Sequence, residues 1–234
     1  MERYALQLKI SLNGVKPLIW RRVVVNADIG LEDLHMVIQT VMPWENGHMH
    51  KFYNKHQTYM MPYDDCEFEE DGEDMEAYED ALLGDIFTEK GQKLKYEYDF
   101  GDSWEHNIVV EKILPPIDDE RDALFIKGKN AVPPEDCGGI WGYEHLREVM
   151  SDPKHPEYEE MAEWIGLEDG EIFDSTDMGF TDEEFNEMLL GVSAITEEDV
   201  ELFMHMLEND MLPKEVQEEM LRKLEELQKQ ELLN

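Results

Sequence analysis

The chain has 234 residues, with 20 Lys and Arg against 57 Asp and Glu, a formal net charge of −37 at pH 7. That charge opposes nucleic-acid phosphates, whose binding is driven by cations that displace counterions, and it disfavours anionic membrane surfaces. No run of about 18 apolar residues occurs, so no membrane-spanning helix is expected.

The length fits one large domain, or one domain with a small appendage. Hydrophobic residues at 41% and aromatics at 10% suffice for a core. Met1-Glu2-Arg3-Tyr4 leads straight into a strand pattern with no apolar leader, so no signal peptide is expected. Cys66 and Cys137 are then expected as reduced thiols in the cytoplasm of a soluble protein. The acidity serves solubility or a high-salt interior, or else marks a basic partner or cations.

In chain order, Leu6, Leu8, Ile10 and Leu12 alternate with polar residues and predict a half-buried strand over 3–12. Asn13-Gly14 is a turn dipeptide, and the β-branched run 18–25 predicts the second strand of a hairpin. Leu31, Leu34, Ile38, Val41 and Met42 recur at helical spacing, with Glu32 and Asp33 in the first turn and Pro43 at the end. Residues 48–53 read as a strand, and hairpin, helix and strand together resemble a β-grasp opening. Residues 64–80 hold eleven acidic residues in seventeen, a solvated loop without calcium-loop spacing. Residues 93–99 and 104–114 form a second hairpin pattern, stopped by Pro115-Pro116. A polar loop leads to the Pro- and Gly-rich stretch 131–142, followed by helical segments near 143–150, 156–165 and 181–190. The expected fold class is α+β: an N-terminal β-hairpin plus helix, a mixed or antiparallel sheet and a helical C-terminal part. Gly191 to Ile195 reads as a joint, dividing 1–190 from a helical extension, 191–234, that opens on the cap-like Thr196-Glu197-Glu198-Asp199.

Three segments concentrate chemistry. In Trp44 to Phe52, His48 and His50 share a face if the segment is a strand, a common start for a transition-metal site. Two histidines bonded at a sheet surface would look the same. In Tyr98-Asp99-Phe100-Gly101-Asp102-Ser103-Trp104-Glu105-His106, Gly101 suits a tight turn, and Trp104 and His106 share a face opposite Glu105. The plain reading is a hairpin with a buried tryptophan; the functional one joins Asp99, Asp102 and His106 in a polar site. In Pro133 to Tyr143, glycines before a helix can present amides to an anion, and Cys137 there is a candidate for a depressed pKa. The alternative is a rigid connector with a buried thiol.

Together these motifs resemble a known family. Ile19-Trp20-Arg21-Arg22, then Leu31-Glu32-Asp33-Leu34-His35 with Ile38-Gln39, then Met42, Trp44, His48 and His50, is similar to its N-terminal signature. Tyr98 to Asp102 with Trp104 and His106 is similar to its central one. Pro133 to Gly139 with Gly142-Tyr143, then Asp152-Pro153, His155 and Trp164, completes the set. The family is the plasmid pRiA4b ORF-3-like family, and the resemblance covers roughly 3–190. It implies an α+β domain of largely unknown function. Some members carry a transposon-passenger or resolvase-like label. That label needs a basic DNA-binding surface and a nucleophile set among arginines, and neither is visible here.

Three functions are open. The first is a binding module for an unknown ligand or protein. Its aromatic-lined polar pocket would use Trp20, Trp44, Tyr98 and Trp104, with Arg21 or Arg22 pairing an anionic group and Glu135 and Cys137 beside it. The second is a metal-dependent hydrolase, in which His48, His50, Asp99, Asp102 and His106 hold a divalent metal that activates water. The third is a cysteine chemistry at Cys137 with a histidine base.

Overall fold

The computed structural model describes residues 4–60, 78, 81–117, 123–167 and 171–189. The chain divides into two compact units, Met1–Ser193 and Ala194–Asn234, and every described residue belongs to the first. Cys66, the acidic run 64–80 apart from Tyr78, and the helices read beyond Gly191 lie outside the described residues.

Leu6, Leu8, Ile10 and Leu12 are fully buried along β1 (Ala5–Leu12). The chain returns antiparallel as β2 (Trp20–Asn26). Next comes α1 (Leu31–Val41), whose Asp33 carboxylate accepts the Gly30 N–H at 3.1 Å and so caps the first turn. Its buried stripe is Leu31, Leu34, Val37, Ile38 and Val41, each contributing roughly 1.5–3 kcal/mol by leaving water. His35 and Gln39, four residues apart, are buried as well and bring polar groups into the core.

Strands β3 (His50–Tyr53), β4 (Thr58–Tyr59), β5 (Lys93–Tyr98), β6 (Trp104–Leu114) and β7 (Ala123–Lys129) complete a seven-stranded sheet. Its order is β4-β3-β5-β6-β1-β2-β7, and every pairing is antiparallel. Four helices lie in the rest of the described chain: α2 (Leu83–Ile86), α3 (Gly139–Met150), α4 (Tyr158–Trp164) and α5 (Asp182–Met188). This is an α+β fold with a helical C-terminal part. None of the described helices is long and apolar enough to cross a membrane.

Three details depart from expectation. The opening does not close a β-grasp, because β6 runs antiparallel beside β1, where that arrangement sets a parallel strand. β7 occupies the stretch read as a polar loop: it is an edge strand, so only Ala123 and Phe125 needed to be apolar and buried. α3 starts four residues earlier than predicted, its Pro- and Gly-rich approach having hidden a helix that buries Gly139, Tyr143, Leu146, Val149 and Met150.

The pleat sorts side chains onto two faces. Opposite pairs His50 and Tyr98, Phe52 and Tyr96, Tyr96 and His106, and Tyr98 and Trp104 place an aromatic block on the core face. Lys51, Tyr53, Glu97 and Glu105 take the other, only partly buried face.

Candidate functional site

The aromatic block forms a floor. Trp44 stacks on Tyr98 with centroids 5.2 Å apart and meets His106 edge-on at 5.4 Å. Its indole N–H donates to the Pro133 carbonyl at 3.0 Å, joining the loop after α1 to the loop before α3. Beneath it, His35 and His50 stack with centroids 3.5 Å apart. Gln39 Nε2 donates to the Tyr96 hydroxyl at 3.0 Å, and that hydroxyl meets His35 Nδ1 at 2.8 Å. His35 Nε2 then donates to Asn46 Oδ1 at 2.6 Å, so the proton sits on Nε2. His106 Nδ1 donates to the Trp104 carbonyl at 2.9 Å, leaving its buried Nε2 without a partner among the described residues. Burial drops these rings far below the usual histidine range: His35 and His106 to about 4 and His50 to about 3.

Above the floor three loops converge at a rim. His48 comes from the loop before β3, Asp99 from the β5–β6 turn and Asp136 from the loop before α3. His48 Nε2 lies 3.3 Å from Asp136 Oδ1, and Nδ1 lies 3.9 Å from Asp99 Oδ1. One ligand atom from each lies within 4.8 Å of the others. A metal held at about 2.1 Å by each needs them within about 4.2 Å, a closure of about half an ångström. Both aspartates have left-handed backbone, φ 56° at Asp99 and 57° at Asp136, as do nearby Asn46 and Ser103. Non-glycine residues accept this conformation at a cost of order 1 kcal/mol each, and such strain gathers at functional sites. The loops brace one another. Tyr98 donates its hydroxyl to Glu135, and the other Glu135 oxygen accepts the Glu45 N–H at 3.0 Å. Asp102 accepts the Gly138 N–H at 3.1 Å.

The structure therefore regroups the expected residues. Trp44, Tyr98, Trp104, Glu135, His48 and Asp99 come together, with the unexpected Asp136. Trp44, Tyr98 and Trp104 are 8%, 0% and 1% exposed, so they pack as a floor and do not line a pocket. His48 sits in a bend outside β3, so it does not share a strand face with His50. His50, 6% exposed, bonds the Tyr78 hydroxyl at 2.6 Å, and His106 lies wholly beneath Trp44. Asp102 is engaged in the loop brace. The five-residue metal set thus reduces to His48 and Asp99.

Trp20, Arg21 and Arg22 stand apart from the rim. Arg22 pairs with Glu111 and lies over Trp20 on the face away from the core. Arg21 is fully buried, donating from Nε to Val41 O at 2.7 Å and from NH1 to Asn130 O at 3.0 Å. It ties the end of α1 to the end of β7. A cavity of about 420 Å³ also opens away from these residues, against Glu144, Arg147, Glu148 and Phe173.

The three motif-bearing segments thus meet in space, and the family's sequence pattern spans them: the model of the plasmid pRiA4b ORF-3-like proteins matches residues 4–187. The chain belongs to the plasmid pRiA4b ORF-3-like family. The uncharacterized protein y4hQ of Sinorhizobium fredii is 36% identical over 176 residues, 75% of this chain and 87% of that protein. The crystal structure of MM3350 from Methanosarcina mazei Go1, a protein of unknown function, is similar at 33% identity and TM-score 0.67, covering 79% of this chain and 98% of that one. Neither relative's description states an activity.

The thiol in this family motif is poorly suited to nucleophilic chemistry. Burial, then the charge of Asp102, pushes Cys137 up to about 12, the reverse of the depressed value expected from its glycine-rich setting. In a Cys66→Ser variant, Ellman's reagent at pH 7.5 is expected to label native Cys137 at least about a hundredfold more slowly than the unfolded chain. Equal rates would restore a thiolate role.

Proposed function

We propose that this chain is a binding module whose site is the rim of His48, Asp99 and Asp136, and that the rim takes a divalent cation. The observation that carries the reading is the gathering of one imidazole and two carboxylates from three separate loops within 4.8 Å. Such mixed nitrogen and oxygen ligands suit zinc, manganese or iron. Exposed apolar side chains border the same loops: Met49 follows His48, Phe100 follows Asp99, and Trp141, 82% exposed, lies five residues beyond Asp136. Uncovered large side chains beside polar groups are the makings of a ligand contact. Trp44, Tyr98, Trp104 and Glu135 support the rim from below. A cytoplasmic location fits the free thiol of Cys137.

A metal-dependent hydrolase is the second reading, favoured by a ligand set of only three side chains, which leaves positions for water. One experiment orders both. Tag-free, chelator-treated protein is titrated with zinc and manganese by calorimetry. Saturable one-site binding is expected, weakened at least about tenfold by His48→Ala and by Asp136→Asn. Binding that ignores both variants, or none at all, removes the site. Metal-dependent turnover of an activated phosphate or carboxylate ester by the loaded protein would favour the hydrolase; its absence favours the module.

A further inference from the structure

The face of the sheet turned away from the core has a charge opposite to that of the chain. Residues directly opposite in antiparallel pairs share a face. One row across the strands runs Lys127, Arg22, Lys9, Val109 and Lys93. The next runs Lys129, Trp20, Ser11, Asn107, Lys95 and Tyr53. Lys112 lies opposite Gln7, and Lys51 opposite Glu97, on the same face. Eight of the chain's 20 basic residues thus stand on one surface.

Three carboxylates on these strands answer them. Glu111 holds Arg22 with contacts of 2.5 and 2.9 Å, Glu105 holds Lys95 at 3.2 Å, and Glu97 holds Lys51 at 2.9 Å. Lys112, Lys127 and Lys129 are exposed and make no ion pair among the described residues. Like charges placed directly opposite, as at Lys9, Arg22 and Lys127, destabilise a sheet. An anionic partner would relieve that repulsion.

We propose that this face docks an acidic segment of another polypeptide. The spacing fits. Strands lie about 4.8 Å apart and alternate residues about 6.8 Å apart, the same period at which an extended peptide presents side chains on one side. The pairs Lys127 and Lys129, and Lys93 and Lys95, repeat at that interval. A single-stranded nucleic acid is the other polyanion such a face could take, but it needs open rings for its bases. Here both rings already carry cations: Lys9 and Arg22 lie 5.3 and 5.0 Å from the Trp20 centroid, and Lys51 and Lys95 lie 5.5 and 5.3 Å from that of Tyr53. A polynucleotide longer than the face would also run onto a surface that makes the whole chain −37. A short acidic peptide stays on the lysines.

The test uses the full chain and a fluorescein-labelled oligoglutamate of about eight residues, long enough to cross the face, read by anisotropy at low salt. An oligothymidylate of the same length serves as comparator. Binding is expected to weaken at least about tenfold with the double variant Lys127→Glu/Lys129→Glu and with a rise in salt. Lys154→Glu, in the turn between α3 and α4 and on none of these strands, is expected to leave it unchanged. Both variants alter exposed side chains, and an unchanged melting temperature confirms that they fold. Three results overturn the proposal: no saturable peptide binding, no greater loss with Lys127→Glu/Lys129→Glu than with Lys154→Glu, or tighter binding of the oligothymidylate that Trp20→Ala abolishes, which would mark a nucleic-acid surface.

Discussion

Acidification from pH 6.5 to pH 5 is expected to strip this protein of stability through three buried histidines. His35, His50 and His106 are neutral in the fold, held at about 4, 3 and 4 by burial. In the unfolded chain each takes a proton near pH 6.5. Below that value the unfolded state therefore binds protons that the folded state refuses, and stability falls as pH falls. It is fully present above about pH 6.5 and lost progressively towards pH 4. Each ring contributes up to about 1.4 kcal/mol per pH unit, so three together reach about 4 kcal/mol per unit. Carboxylates titrate mostly below this window and are not its cause, although relieving the repulsion of a −37 chain works the other way at lower pH. Urea midpoints at pH 7, 6 and 5 measure the slope. A His106→Gln variant is expected to be less stable at pH 7 and to lose roughly a third of that slope. A stability that stays level from pH 7 to 5 and is unaltered in slope by His106→Gln would mean that the rings take up protons in the fold as readily as in the unfolded chain.

Gly142→Ala is expected to damage fold and site together. A Cβ at Gly142 would stand 1.7 Å from the Cys137 carbonyl oxygen, a backbone atom with no rotamer to move. Relief requires shifting the 133–139 loop, at about 3 kcal/mol or more. That loop carries Glu135 and Asp136, so cation affinity at the rim is expected to fall at least about tenfold as well. Gly47→Ala is the control: nothing lies within 4 Å of its Cβ and its backbone N–H can still donate to Tyr98 at 3.0 Å. Thermal melts and calorimetry on the two variants separate the outcomes. Equal tolerance of both would mean that the loop is not pinned by helix α3.

The pairing in β1 and β2, helix α1 and the β5–β6 hairpin were legible because their signals are local. Alternation at Leu6 to Leu12 and helical spacing at Leu31 to Val41 need no knowledge of the rest of the chain. The opposition of Trp104 and His106 to Glu105 followed from the same period of two, and the burial alternates accordingly. β7 and the start of α3 were hidden because an edge strand needs few apolar residues and glycines weaken a helical pattern.

The site was legible as three segments but not as a set of ligands. Residues His48, Asp99 and Asp136 are separated by 51 and 37 positions, and only loop packing decides which of the nearby polar groups face one another. His50 looked equivalent to His48, yet β3 begins at His50 and carries it into the core, while the bend leaves His48 at the rim. Asp136 had no signal beyond its place beside Cys137 in the Pro133 to Gly139 motif.

Composition and local periodicity determined the overall sign of the charge, the capacity for a core and the α+β class, because these are sums and short-range periods over the chain. Tertiary structure alone decided where the charge of each sign goes. Eight lysines and arginines scattered between Lys9 and Lys129 form no basic run in sequence. The antiparallel register sets them side by side, because opposite residues in paired strands must share a face.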